Sequence, residues 1–197
     1  MKKPLSLLTT TSYFPPAHWL GAAAGAGKWW IEANENYQKG GWRNRCKIAG
    51  PNGPQTLTVP LEKGKHQRKP IQEVRISYRQ DWWREHEQTI RTAYGRSPYF
   101  EFYAEDLFSI GRSRPVTLWE LNQQLLETLL QLLQFPVSPT LSEEFIPSDQ
   151  SGFLRPKELP VLPPYQQVFT DRFGYQPGLS VLDALFCLGP EVAQLVV

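Results

Sequence analysis

The pattern of apolar and polar positions changes period along this chain, and each change predicts a different element. Leu5 to Thr11 is a short apolar run closing in β-branched threonines, which predicts a strand. Trp19 to Gly25 reads as a short alanine-rich helix and Trp29 to Ala33 as a second strand. Between the first strand and the helix, Tyr13-Phe-Pro-Pro-Ala-His-Trp is an aromatic loop, rigid because each proline restricts itself and the residue before it. These pieces make a β-loop-α-β unit of the kind that opens α/β folds, in which ligands collect at strand ends.

Period two follows. Trp42–Ala49 and Gln55–Leu61 are strand-like runs flanking Gly50-Pro51-Asn52-Gly53, which predicts a hairpin. The same period places Arg43 and Arg45 on one face of the first run and Asn44 on the other. Val74–Tyr78 reads as a further strand.

Beyond it the period becomes helical. Asp81 sits where a cap should open a helix through about Tyr94, with Trp83, His86, Ile90 and Ala93 as its apolar stripe. Arg96 to Tyr103 is an aromatic connection into a short amphipathic segment ending near Ile110. Thr117-Leu-Trp-Glu120 is a capping box for the longest helix, to about Gln134, whose stripe is Leu118, Leu121, Leu125, Leu129 and Leu132, widened by Leu126 and Leu133. Residues 135–164 are proline-rich and irregular, Tyr165–Phe173 resumes as a helix, and Ser180 caps a last helix through Leu188 that Gly189-Pro190 ends. The fold class is therefore α/β: a mixed sheet with the N-terminal β-loop-α-β unit, a β-hairpin, and a helical C-terminal half, in one domain over residues 1–197.

Composition narrows the function. A chain of 197 residues with 41% hydrophobic and 20% charged residues has the size and balance of one soluble domain. No apolar run approaches the ~18 residues that predict a membrane span. The run after Lys2 and Lys3 is shorter than the ~7–15 residues of a signal peptide core, so a cytoplasmic protein is expected. Cys46 and Cys187 have no metal-ligand spacing and are expected as reduced thiols. GAAAGAGK fails as a phosphate loop, since Ala22 stands where the pattern needs glycine and Trp29 where it needs a hydroxyl; close helix packing explains the small residues.

Net charge is +2, but residues 1–98 hold 16 Lys and Arg against 7 Asp and Glu, and residues 99–197 hold 5 against 12. The halves, at +9 and −7, either attract each other across the fold or leave the first to receive an anion such as a phosphate or diphosphate. The small total charge and acidic second half argue against dedicated nucleic-acid binding.

The candidate chemistry concentrates between Asn34 and Gly53. Lys39, Arg43 and Arg45 are candidate phosphate contacts, Tyr37 and Trp42 stacking groups, and Asn44 an orienting amide; Asn52 completes the substrate-binding set. Lys63 to Pro70 is a basic loop, read either as a solvated connector or as a further source of phosphate contacts. His86 is the best placed of the three histidines to act as a general base, against the alternative of a hydrogen-bonded core group. Cys-His pairs, nucleophile elbows, dinucleotide fingerprints and zinc spacings do not occur. A purely structural alternative has Arg43 and Arg45 pairing with Glu101, Glu105 and Asp106.

Four stretches resemble the WbqC-like family of bacterial proteins: YFPPAHW, ENYQKGGWRNRCKIAGPNGPQTLTVPL, the W-x-x-H-x-x-T-I-x-x-A-Y-G-x-S-P-Y-F-E run from Trp83 to Glu101, and GLSVLDALFCLGPE. Lys39, Trp42, Asn44, Arg45, Pro51, Asn52 and Gly53 match, whereas Ala33, Asn34 and Asn36 stand where many members carry two aspartates and a glutamine. The resemblance implies a role in surface-polysaccharide biosynthesis: a transferase modifying a nucleotide-linked amino sugar by N-acyl or aminoacyl transfer. The partner it implies is a small anionic metabolite, a nucleotide sugar or an acyl carrier. It names no cofactor and no metal. The alternatives are a protein that binds a metabolite or a partner without turnover, and a nucleotidyltransferase-like enzyme.

Overall fold

A computed structural model of the chain describes residues 6–63, 69–147, 150–154, 159 and 162–192. β1 (Ser6–Thr10), α1 (Ala17–Ala26) and β2 (Trp29–Glu32) form the opening unit, with β1 and β2 parallel and Leu7 opposite Trp29. Leu7, Leu8 and Thr9 are all buried, as in a parallel strand covered on both faces. The Trp29 indole donates to the Thr9 hydroxyl at 2.9 Å. α1 ends at Gly27, whose φ of 70° is the left-handed cap that glycine adopts without strain. Ala23 and Ala26 are buried, and α1 packs on β1 and on the last long helix of the chain, so the small residues of GAAAGAG serve packing.

The hairpin follows as β3 (Arg45–Ile48) and β4 (Gln55–Thr58), antiparallel with Arg45 opposite Thr58. Its turn requires glycine twice. Gly53 has φ of 107°, and a Cβ on Gly50 would lie 2.8 Å from the Gly53 carbonyl oxygen. Val74–Tyr78, expected as a strand, makes single bridges only, Ile76 with Leu61 and Arg75 with Thr117.

Three helices cover the core: α2 (Trp82–Tyr94), α3 (Phe100–Arg112) and α4 (Leu118–Leu132). Asp81 occupies the cap position of α2 without making a side-chain cap bond. α3 is a full helix where a connection and a short segment were expected, because Phe100, Ala104, Leu107, Phe108 and Gly111 bury one helical face. Gly111 lets α3 lie against Trp83, since a Cβ there would fall 2.0 Å from the indole. The capping box of α4 forms as read, with Glu120 N donating to Thr117 Oγ1 and Thr117 N to Glu120 Oε2, both at 3.1 Å.

The proline-rich stretch contains two strands of two residues, β5 (Thr140–Leu141) and β6 (Phe153–Leu154). They pair in parallel with β2 and β1, giving one sheet in the order β5-β2-β1-β6. The α/β reading holds, with a parallel sheet and the hairpin as a separate antiparallel pair. The expected helix over Tyr165–Phe173 shortens to α5 (Thr170–Phe173), because Tyr165 and Gln167 instead reach the buried Asp183 of α6 (Val181–Leu188), at 2.7 and 2.9 Å. Ser180 caps α6 by accepting from Leu182 N. Both thiols are free. Among the described residues no helix is long and apolar enough to cross a membrane.

Candidate functional site

After β2 the chain loops through Glu35 and Tyr37 and turns at Trp42 before entering β3. Trp42 is half-buried, and its carbonyl accepts from Tyr13 N at 3.0 Å and from Ser12 Oγ at 3.2 Å. The Arg43 carbonyl accepts from the Asn122 amide of α4 at 2.8 Å. With both carbonyls consumed outside the hairpin, residues 42–44 form a turn, and the expected strand shortens to Arg45–Ile48. Arg43 and Arg45 consequently do not share a face: Arg43 is buried and Arg45 exposed.

Arg43 is matched to Glu35. Its Nε donates to Glu35 Oε1 at 2.8 Å, its second contact runs from Nη2 to Oε2, and the two residues are 7% and 5% exposed. Burial raises the Glu35 pKa, and the hydrogen bond and charge of Arg43 pull it back. Arg43 therefore clasps the loop to the turn. Its partner is thus Glu35 rather than Glu101, Glu105 or Asp106, and Glu105 is engaged by Arg112.

Asn44 is also buried and works as a fixed amide. Its Oδ1 accepts from the Tyr37 hydroxyl at 3.1 Å, its Nδ2 donates to Val59 O at 3.0 Å, and its carbonyl accepts from Val59 N at 2.8 Å. The Tyr37–Asn44 pair backs an open cleft of about 420 Å³, whose walls include Lys39, Arg45, Thr58 and Lys63. Lys39, Arg45 and Lys63 are exposed, and among the described residues none of the three has a carboxylate partner. Burial raises the Tyr37 pKa, with Arg45 and then Arg43 opposing. The cleft is thus held at its back by hydrogen bonds and lined by three cations against the single carboxylate of Glu62, a balance that suits an anion.

The remaining candidates lie elsewhere. Trp42 carries Lys47 Nζ 5.8 Å from its ring centre, and Asn52 is exposed on the hairpin turn; neither lines the cleft. His86 is 7% exposed and packs edge-on to Trp82 at 5.0 Å. Its Nδ1 meets the Tyr13 hydroxyl at 2.8 Å. Burial lowers its pKa to about 4, with the nearby Thr58 backbone opposing. His86 does not line the cleft, and its ring packs among Tyr13, Trp82 and Trp83. Of the family positions that differ here, Ala33 is buried, Asn34 Nδ2 donates to Ser142 O at 2.8 Å, and Asn36 is exposed.

Three polar residues of the cleft, Thr58, Glu62 and Lys63, are not among the residues expected from the sequence. Thr58 was available from the alternation of TLTVPL, which turns Thr56 and Thr58 outward. Lys63 was visible as the start of the basic loop; residues 64–68 of that loop, His66 included, lie outside the described residues. Among the described residues no group of three or more His, Cys, Asp or Glu converges as metal ligands would.

No curated protein and no solved structure matches the chain. A family model does, over residues 11–159, a span containing the first three of the four resembling stretches and ending before Gly178–Glu191. That span begins just after β1 and takes in α1, β2, the hairpin and the cleft residues, and the chain belongs to the WbqC-like protein family.

Proposed function

We propose that the cleft beside the hairpin binds the diphosphate of a nucleotide-linked sugar, and that the protein is a transferase acting on that sugar in surface-polysaccharide biosynthesis, by N-acyl or aminoacyl transfer. One observation carries the binding step: Lys39, Arg45 and Lys63 surround the fixed Tyr37–Asn44 pair without carboxylate partners among the described residues. Arginine offers a phosphate two parallel donors and lysine a point charge, while the amide and phenol, already oriented, lose little freedom on binding. The transfer step rests on the family's association with surface polysaccharides alone.

A second reading, binding without turnover, is favoured by His86. Its ring is engaged by Tyr13 away from the cleft, which leaves the cleft without a histidine base among the described residues.

Titration calorimetry with UDP-glucose tests the binding step. The parent protein binds it, and Arg45→Ala weakens binding about tenfold or more, as expected for a charge-assisted hydrogen bond of ~1.5–3 kcal/mol. Absence of binding by any nucleotide sugar sinks the proposal. Turnover of a nucleotide amino sugar with an acyl thioester then separates the transferase from the binding protein.

A further inference from the structure

We propose that this cleft is one half of a longer site, and that its ligand is a sugar nucleotide whose sugar carries a second anionic group such as a carboxylate. The inference rests on the reading that the first half takes a diphosphate. Beyond β4 the chain pairs with the stretch after the basic loop: Glu62 N donates to Arg75 O at 3.1 Å and Ser77 N to Pro60 O at 2.9 Å. This pairing brings Ser77, Tyr78 and Arg79 beside the first cleft. They form a second cleft of about 440 Å³, and Glu62 and Lys63 line both.

The second cleft is positive and fixed in the same manner as the first. The Tyr78 hydroxyl donates to Pro115 O at 2.8 Å, and the Arg114 guanidinium lies 4.7 Å over its ring. The Glu62 carboxylate meets Arg75 Nε at 3.4 Å, so it offsets that cation in part. Arg79 is exposed and, like Lys63, has no carboxylate partner among the described residues. Two contiguous clefts, each with a tyrosine anchored by its hydroxyl and with cations that have no carboxylate partner among the described residues, suit a ligand with charge at both ends. Lys63, common to both, sits where the two parts of that ligand join.

UDP-glucose and UDP-glucuronate differ at the sugar's C6, a hydroxymethyl group in one and a carboxylate in the other, and serve as the paired probe for titration calorimetry. The parent is expected to bind UDP-glucuronate about tenfold tighter. Arg79→Ala is expected to remove that preference without changing the affinity for UDP-glucose, and Arg79→Glu to reverse it; Arg45→Ala weakens both ligands. Equal affinities in the parent overturn the inference, as does an Arg79→Ala variant that affects both ligands alike. In those cases the first cleft still stands if Arg45→Ala weakens UDP-glucose. Binding of neither ligand overturns both the inference and the reading beneath it.

Discussion

Arg43 and Arg45 stand two residues apart and reach opposite environments. Arg43 is desolvated against Glu35, and its backbone is fastened to α4. Arg45 begins β3 and extends into an open cleft with no carboxylate partner among the described residues. Period-two geometry cannot separate them, because it assumes that both lie in one strand. What separates them is the turn at Trp42–Asn44, formed because Tyr13, Ser12 and Asn122 take the carbonyls a strand would use. A cation in sequence is thus a structural or a ligand group according to where its neighbours' backbone bonds go.

The largest effect expected from breaking this contrast is on Arg43. Arg43→Ala leaves the Glu35 carboxylate buried without its cation and should lower stability by ~3–5 kcal/mol. Replacing the pair together, Glu35→Leu with Arg43→Met, should recover most of that loss, since neither charge is then stranded. Urea unfolding of the parent, the single variant and the double variant measures both. A single variant within 1 kcal/mol of the parent, to an order of magnitude, would place Arg43 with the exposed cations.

His86 sharpens the same contrast through pH. Its pKa is about 4 in the fold against an ordinary 6.5, so the unfolded chain takes up a proton in a range where the folded protein does not. Its contribution is therefore complete above pH ~6.5 and is lost as pH falls towards 4, by about 3 kcal/mol in all. Burial raises the pKa of Glu35 and of Asp183, which acts in the opposite sense because the folded state binds those protons more readily. The measurement is therefore a difference: unfolding free energy against pH for the parent and for His86→Phe. The parent should lose stability relative to the variant on acidification from 6.5 towards 4. Parallel curves would mean that His86 takes up its proton equally in both states, as an exposed histidine at the cleft would.

Much of this architecture is legible in the sequence where one residue type has one local consequence. The Thr117–Glu120 box, the Ser180 cap and the glycines of the hairpin turn each satisfy a backbone need within a few residues. The edge strands β5 and β6 are not legible, because two residues cannot display an alternation, and their pairing depends on a sheet built more than a hundred residues earlier. The candidate site divides likewise. The polar segment, its anchoring Tyr37 and Asn44 and its cations could be read locally. That Glu35 would claim Arg43, and that Tyr78 and Arg79 would come beside Lys63, are contacts between loops that no periodicity encodes.

The smallest expected effect tests the other side of the comparison. Arg45 is exposed, and its side chain has no ion-pair partner among the described residues, so its removal costs neither a buried charge nor packed surface. Arg45→Ala should therefore change unfolding free energy by no more than about 0.5 kcal/mol, while the same substitution weakens UDP-glucose. Opposition between the two readouts is the point: Arg43→Ala should move stability first, Arg45→Ala affinity alone. If Arg45→Ala instead lowered stability by more than ~1.5 kcal/mol, any loss of binding would follow from a loosened hairpin, since Arg45 pairs opposite Thr58 of β4. The anion site would then rest on Lys39 and Lys63 alone, two point charges without the planar fork that makes phosphate recognition directional.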